Sequence, residues 1–214
     1  MITVILPTYN EADNIALLIS AIQKNIPSNA DILVVDDNSP DGTAARVKTN
    51  RHVKLIVRTK NRGLTNSVNE GITASKGDVI LWMDCDFSHP PSVIPKLLKE
   101  IERGADIALA SRVRNRGLSV LVNTVAMAFF GRNITDYTTG FLAVRRTVLD
   151  RIPLLGDYGE YCIDLLVRAQ AAGYRIEEIP YISPPRRSGY SKTSLRFGYG
   201  YLITVLRLLW TSGK

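Results

Sequence analysis

The tripeptide Asp84-Cys85-Asp86 follows the apolar run Val79–Met83. A short apolar run with β-branched members reads as a buried strand, so both carboxylates leave its carboxyl end. Open α/β sheets bind ligands at that edge. Two carboxylates at i and i+2 can share one hard cation, offering Mg²⁺ or Mn²⁺ the oxygen ligands it prefers and leaving positions for phosphate oxygens. Such an ion offsets charge on a diphosphate leaving group. Aspartate pairs at strand ends also cap helices without binding anything, so the pattern needs company before it carries a function.

Two further clusters supply it. Val34-Val35-Asp36-Asp37-Asn38-Ser39-Pro40-Asp41-Gly42-Thr43 ends a second apolar run, where Asp36 or Asp37 could accept hydrogen bonds from a nucleobase or ribose. Pro40-Asp41-Gly42 is turn chemistry and needs no functional reading. Pro7-Thr8-Tyr9-Asn10-Glu11 ends a first run; Pro7 and Tyr9 could wall a base, and Asn10 is equally explained as a helix cap. The G-x-G-x-x-G fingerprint is absent, which argues against a nicotinamide cofactor.

The elements that must position these clusters follow from periodicity. Ile2–Leu6, Ile32–Asp36, Val53–Val57, Val79–Asp84 and Asp106–Ala110 are predicted strands, with helices over 11–25, 63–75 and 92–103, the last opened by Ser92 as N-cap. This alternation predicts an α/β fold with a mostly parallel sheet flanked by helices. Beyond Ser111 the rhythm loosens into an arginine-rich loop at 112–116, an uncharged stretch at 117–131, strands near 140–145 and 175–182, and a helix near 160–172. The segment 194–210 reads as an amphipathic C-terminal helix. Neither it nor 117–131 reaches the ~18–20 uninterrupted apolar residues of a spanning helix, so no transmembrane segment is expected.

The chain has 214 residues, consistent with one domain, and a net charge of +7. Residues 1–111 carry 12 Lys/Arg against 13 Asp/Glu, while 112–214 carry 15 against 7, with 13 of those cations arginine. The excess therefore lies wholly in the second half. No helix-turn-helix cue, zinc spacing or aromatic-studded strand accompanies it, so nucleic acid is not the expected partner. Arginine forks suit a lipid phosphate or anionic surface equally well. Two cysteines, Cys85 and Cys162, and no signal peptide ahead of the first strand suggest a reducing, cytosol-facing location.

Three clusters at successive strand ends, together with RTKNRGLTNSVNEGI (58–72), KGDVILWMDCDFSHPP (76–91), ASR (110–112), TGF (139–141) and GYSK (189–192), resemble a GT-A glycosyltransferase of family 2. The likeness is strongest to its dolichyl-phosphate or polyprenyl-phosphate mannosyltransferases and covers nearly the whole chain. Haloacid-type phosphatases also use D-x-D, but on their first strand, and here it follows the fourth. The resemblance implies a single catalytic domain over 1–214, with a nucleotide-sugar and metal half (1–111), an acceptor half (112–193) and a membrane-proximal helix (194–214). It implies that Pro7, Tyr9, Glu11, Asp36, Asp37, Asp84 and Lys192 bind the nucleotide-sugar, and that Asp84, Asp86 and Ser88 hold Mg²⁺ or Mn²⁺. Ser88 stands where the subgroup typically has glutamine. Catalytic roles fall to Asp86, Arg112, Arg116 and Arg186, with Arg114 an alternative to Arg116; Ser191 and Lys192 match the R-x-x-G-x-S-K segment that folds over the phosphates. His89, before Pro90-Pro91, reads as structural.

The implied reaction is an inverting, in-line transfer of a hexose, mannose from GDP-mannose first, onto dolichyl or polyprenyl phosphate. A phosphate monoester is already largely dianionic at neutral pH, so charge screening matters more than a base. A UDP-sugar donor or a hydroxyl acceptor is the alternative; the latter would require a general base, for which Asp136 and Glu160 are the candidates. A third reading is a non-catalytic subunit that retains the fold. Peripheral contact with the cytoplasmic face of a membrane, or with a separate membrane subunit, completes the expected partners.

Overall fold

The computed structural model describes residues 1–114, 117–187 and 195–212, with the backbone alone for 195–199, 202, 211 and 212. The predicted alternation becomes β1 (Ile2–Thr8), α1 (Ile15–Gln23), β2 (Asp31–Asp36), α2 (Thr43–Lys48), β3 (Val53–Val57), α3 (Leu64–Ala74), β4 (Val79–Trp82), α4 (Ile94–Glu102) and β5 (Ile107–Arg112). The second half adds α5 (Leu118–Phe130), β6 (Leu142–Arg145), α6 (Arg146–Leu149), α7 (Tyr161–Ala171), β7 (Ile176–Tyr181) and α8 (Leu195–Ser212). The strands form one seven-stranded sheet in the order β3-β2-β1-β4-β6-β5-β7. All are parallel except β6, which runs antiparallel to both β4 and β5. The sheet is thus mostly parallel, as expected.

Apolar side chains alternate between two cores because successive strand residues point to opposite faces. Val4 and Leu6 join one cluster with Ile15, Leu18 and Ile22 of α1 and Ile94, Leu97 and Ile101 of α4. Ile5 joins the other, with Val68 of α3, Val122 of α5, much of α7, and Tyr201, Val205 and Leu208 of α8. Burial on both faces explains why these strands read as continuous apolar runs. The chain runs outward from β1 through β2 to β3, then returns to β4 on the other side of β1. That reversal opens a crevice at the strands' carboxyl ends, which is where this architecture binds ligands.

Two expected caps are corrected. Ser92 lies inside a 3-10 turn, Pro91–Val93, and α4 begins after Val93 with no side-chain cap; the Pro-rich entry sets its start instead. Asn10 is not a cap either. It takes a left-handed conformation (φ 57°), its N–H donates to Ser39 Oγ at 2.9 Å, and α1 starts later, at Ile15. No described helix is long and apolar enough to cross a membrane.

Candidate active site

The crevice is a cleft of about 480 Å³ whose lining includes Pro7 at the end of β1, Tyr9 and Glu11 just after it, Asp37 after β2, and Asp84 and Asp86 after β4. Four predicted nucleotide-binding residues, Pro7, Tyr9, Glu11 and Asp37, therefore meet in one place with Asp84 and Asp86, the predicted metal pair. Asp36 does not line it. Fully buried, its carboxylate accepts from Thr8 Oγ1 (2.9 Å), Ser39 Oγ (2.6 Å) and Ser39 N (2.9 Å), so it ties the loops after β1 and β2 together from behind. Asp41 does the same nearby, accepting from Ala12 N, Thr43 N and Thr43 Oγ1.

Asp37, also buried, is held as firmly as Asp36. Its Oδ1 accepts from Arg58 Nη1 at 2.8 Å and Ser67 Oγ at 2.9 Å, and its Oδ2 from Gly63 N at 2.7 Å. Arg58 is itself buried and also donates to the Asn61 carbonyl. This network shapes the cleft wall formed by Arg62, Gly63 and Leu64. Neither Arg58 nor Ser67 is given a role by the sequence, although both lie in the segment 58–72 that carries the family resemblance and Arg58 follows a strand directly.

The loop after β4 is built around His89. Its Nδ1 accepts the Asp84 N–H at 2.9 Å, its ring stacks on Phe141 with centroids 5.1 Å apart, and its Nε2 stands 3.8 Å from Asp84 Oδ2. Burial pushes the His89 pKa down, against the opposing pull of Asp84 and Asp86, so the ring is neutral with its proton on Nε2. Through Nδ1, His89 braces the backbone of this loop. Asp84's side chain is 43% exposed, whereas that of Asp86 is 3% exposed. Ser88 N donates to Asp86 Oδ1 at 2.9 Å, and the Ser88 carbonyl accepts from Ser183 Oγ at 3.0 Å. Between them Phe87 adopts φ 67°, a strained conformation for a bulky side chain.

The segment after β7 lies over this loop. Arg186 Nη1 sits 2.5 Å from Asp86 Oδ2, Arg187 N donates to Asp86 O at 3.0 Å, and the Arg187 guanidinium lies 5.6 Å from the Phe87 ring centroid. Asp86 Oδ2 has no hydrogen-bond partner among the described residues, so its contact with Arg186 is one of charge. Asp157 and Tyr158, unforeseen in the sequence, line the cleft from the loop before α7.

Arg112 ends β5 and faces a second cleft, of about 530 Å³, with Val113, Arg114, Ser119, Ile182, Ser183 and Pro184. Its Nε and Nη2 donate to Asp136 at 2.7 and 2.8 Å, and Nη2 also reaches Thr138 Oγ1 at 2.7 Å. Burial alone would raise the Asp136 pKa, but Arg112 and Asn123 more than reverse this and hold the carboxylate below its ordinary value. Glu160 is also committed, accepting from Asp157 N (2.7 Å) and Tyr158 N (3.2 Å). Arg116, Ser191 and Lys192 lie outside the described residues.

Residues 3–153 match the family model described as Glycosyl transferase family 2. The chain belongs to that family. A dolichol-phosphate mannosyltransferase of Pyrococcus furiosus is 33% identical over all of this chain, which spans 65% of that relative's length. A polyprenol monophosphomannose synthase of Mycolicibacterium smegmatis is 37% identical over 89% of this chain and 80% of its own. Among solved structures, the family-2 chain superposes on glucosyl-3-phosphoglycerate synthase from Mycobacterium tuberculosis, in complex with Mn²⁺, UDP and glucosyl-3-phosphoglycerate, with a TM-score of 0.83. That match covers 98% of this chain and 80% of the other at 19% identity, a likeness of fold.

Proposed function

We propose that this family-2 chain transfers mannose from GDP-mannose, with inversion, onto a polyprenyl phosphate. The observation that carries the choice of acceptor is the commitment of both candidate bases. A hydroxyl acceptor would need a carboxylate free to take its proton. Asp136 is locked to Arg112, Glu160 is spent on backbone N–H groups, and no carboxylate lines the second cleft among the described residues. That cleft instead offers Arg112 and Arg114 for a phosphate and Val113 and Ile182 for an apolar tail. The mannosyl and lipid-phosphate assignment is further supported by the names of the 33% and 37% identical relatives.

Asp84 and Asp86, with the Ser88 hydroxyl as a third oxygen donor, would hold Mg²⁺ or Mn²⁺. The fit rests on the hard oxygen set of two carboxylates and a hydroxyl on one loop, with the half-exposed Asp84 open to the cleft and Asp86 Oδ2 facing Arg186 Nη1, which would have to share it with the ion. When bound, the ion supplies charge to offset the departing diphosphate. The protein's own residues do the rest. Tyr9 and Asp37 hold the nucleotide, Arg186 at the cleft and Arg112 beyond it screen the two phosphate groups from each other, and the acceptor oxygen enters in line without a base. Arg116 and Lys192 are proposed to join them.

Membrane contact belongs to the same reading. Val120, Leu121 and Phe129 of α5 and Ile203, Leu206 and Trp210 of α8 are exposed on neighbouring helices, with Arg114 and Arg132 exposed nearby in sequence. Such a surface suits an anionic bilayer carrying the acceptor. The deciding experiment is mass spectrometry of lipid products after incubation with polyprenyl phosphate, Mg²⁺ or Mn²⁺, and a panel of GDP- and UDP-sugars. Mannosyl lipid from GDP-mannose is expected; a product from UDP-glucose alone would overturn the donor assignment.

A further inference from the structure

The loop before α7 lines the donor cleft with Asp157 and Tyr158. It is braced on one side by α3, where Thr65 Oγ1 donates to the Tyr158 carbonyl at 3.0 Å. On its other side stands Glu160, buried at 6% exposure, whose two oxygens accept the backbone N–H groups of Asp157 and Tyr158, both cleft-lining residues. The contact continues into α8. A Cβ placed on Gly200 would lie 3.4 Å from the Glu160 carboxylate, and one placed on Gly159 would fall 2.1 Å from Tyr201 Oη. Gly159 therefore marks where helix and loop touch without room for a methyl group, and Gly200 brings α8 to within van der Waals reach of Glu160. α8 is anchored in turn by Arg207 Nη2 to Asp164 Oδ1 at 2.6 Å.

We propose that Glu160 is a positioning residue for the nucleotide-sugar: wedged between the cleft loop and α8, it makes the shape of the donor site depend on how α8 is seated. It touches no substrate and acts through Asp157 and Tyr158. This rests on the reading of the larger crevice as the donor site. Because the outer face of the same helix carries Ile203, Leu206 and Trp210, the element proposed to meet the bilayer also sets the donor cleft.

The test measures donor binding by calorimetry with GDP-mannose and UDP-glucose, and steady-state kinetics with polyprenyl phosphate. Glu160→Gln loses one charge-assisted acceptor and should raise the donor KM about tenfold, while kcat at saturating donor and the acceptor KM change less than about threefold. Gly159→Ala should do the same by forcing loop and helix apart. Adding Tyr201→Phe to it removes the atom at 2.1 Å, leaves Cζ at 3.2 Å, and should restore donor binding. That rescue keeps the proposal testable if Glu160→Gln fails to fold. Donor binding unchanged in Glu160→Gln, or lost in Gly159→Ala without rescue, overturns the inference. Wild-type protein that binds neither nucleotide-sugar overturns the reading of the cleft itself, and the inference with it.

Discussion

Asp84 and Asp86 sit two residues apart yet live in different surroundings, one half-exposed and lightly tethered, the other buried under Arg186. Asp84→Asn therefore removes a charge the fold barely uses. Turnover should fall about 100-fold or more, while stability stays within about 0.5 kcal/mol; unaltered turnover in a product assay would remove the metal role. Asp136 behaves oppositely. Its folded pKa lies below the ordinary value of 3.8, so the unfolded chain binds more protons in acid, and the ion pair's contribution is present above about pH 4 and lost as pH falls through the folded pKa. Asp136→Asn should cost about 3 kcal/mol at pH 7, with the gap from wild type narrowing below about pH 4 in denaturant melts. The sequence exposed the D-x-D, Arg112 and the cleft-lining Pro7, Tyr9, Glu11 and Asp37, because each is a chemically distinct residue at a strand end. Asp36 looked identical to Asp37 on paper. Only its bonds to Thr8 of β1 and to Ser39 in the following loop reveal it as a brace.

At the scale of elements, strands were legible because burial on both faces leaves long apolar runs, and β3 falls on the predicted Val53–Val57. Helix starts were less so. Asn10 and Ser92 have capping side chains, but chain geometry set by Ser39 and by Pro90-Pro91 decided where the helices begin. The antiparallel direction of β6 was also illegible, since four apolar residues carry no sign of which neighbour runs which way. One glycine shows how packing overrides propensity. Gly71 lies in α3, where alanine would favour the helix by about 1 kcal/mol. A Cβ there would meet Ile5 Cγ2 at 2.6 Å, against the middle of β1. Overpacking of this kind costs about 1–3 kcal/mol and should win, so Gly71→Ala lowers the melting temperature; a rise in calorimetric melting would show that Ile5 has room to shift.

For the whole molecule, charge and apolar exposure fall on the same half. The basic excess after Ser111 shares its segment with the exposed residues of α5 and α8. Flotation with vesicles rich in anionic phospholipid should therefore recover the protein, and raising the salt should weaken recovery without abolishing it. The double substitution Leu206→Ser and Trp210→Ser should reduce recovery by about tenfold or more, from the apolar burial lost, with melting unchanged because both side chains are exposed. Equal recovery of wild type and variant would move the membrane contact elsewhere.

The two halves that composition separates are nevertheless laced together by β6, which lies between β4 and β5 and hydrogen-bonds to both. During synthesis β1 to β4 can pair as soon as they emerge, but the far edge of β4 and the near edge of β5 stay open until Leu142–Arg145 are made. A nascent chain that has released β5 but not yet β6 would present one open edge on β4 and both edges of β5, whose other neighbour, β7, is made later still; such an intermediate recruits chaperones or aggregates.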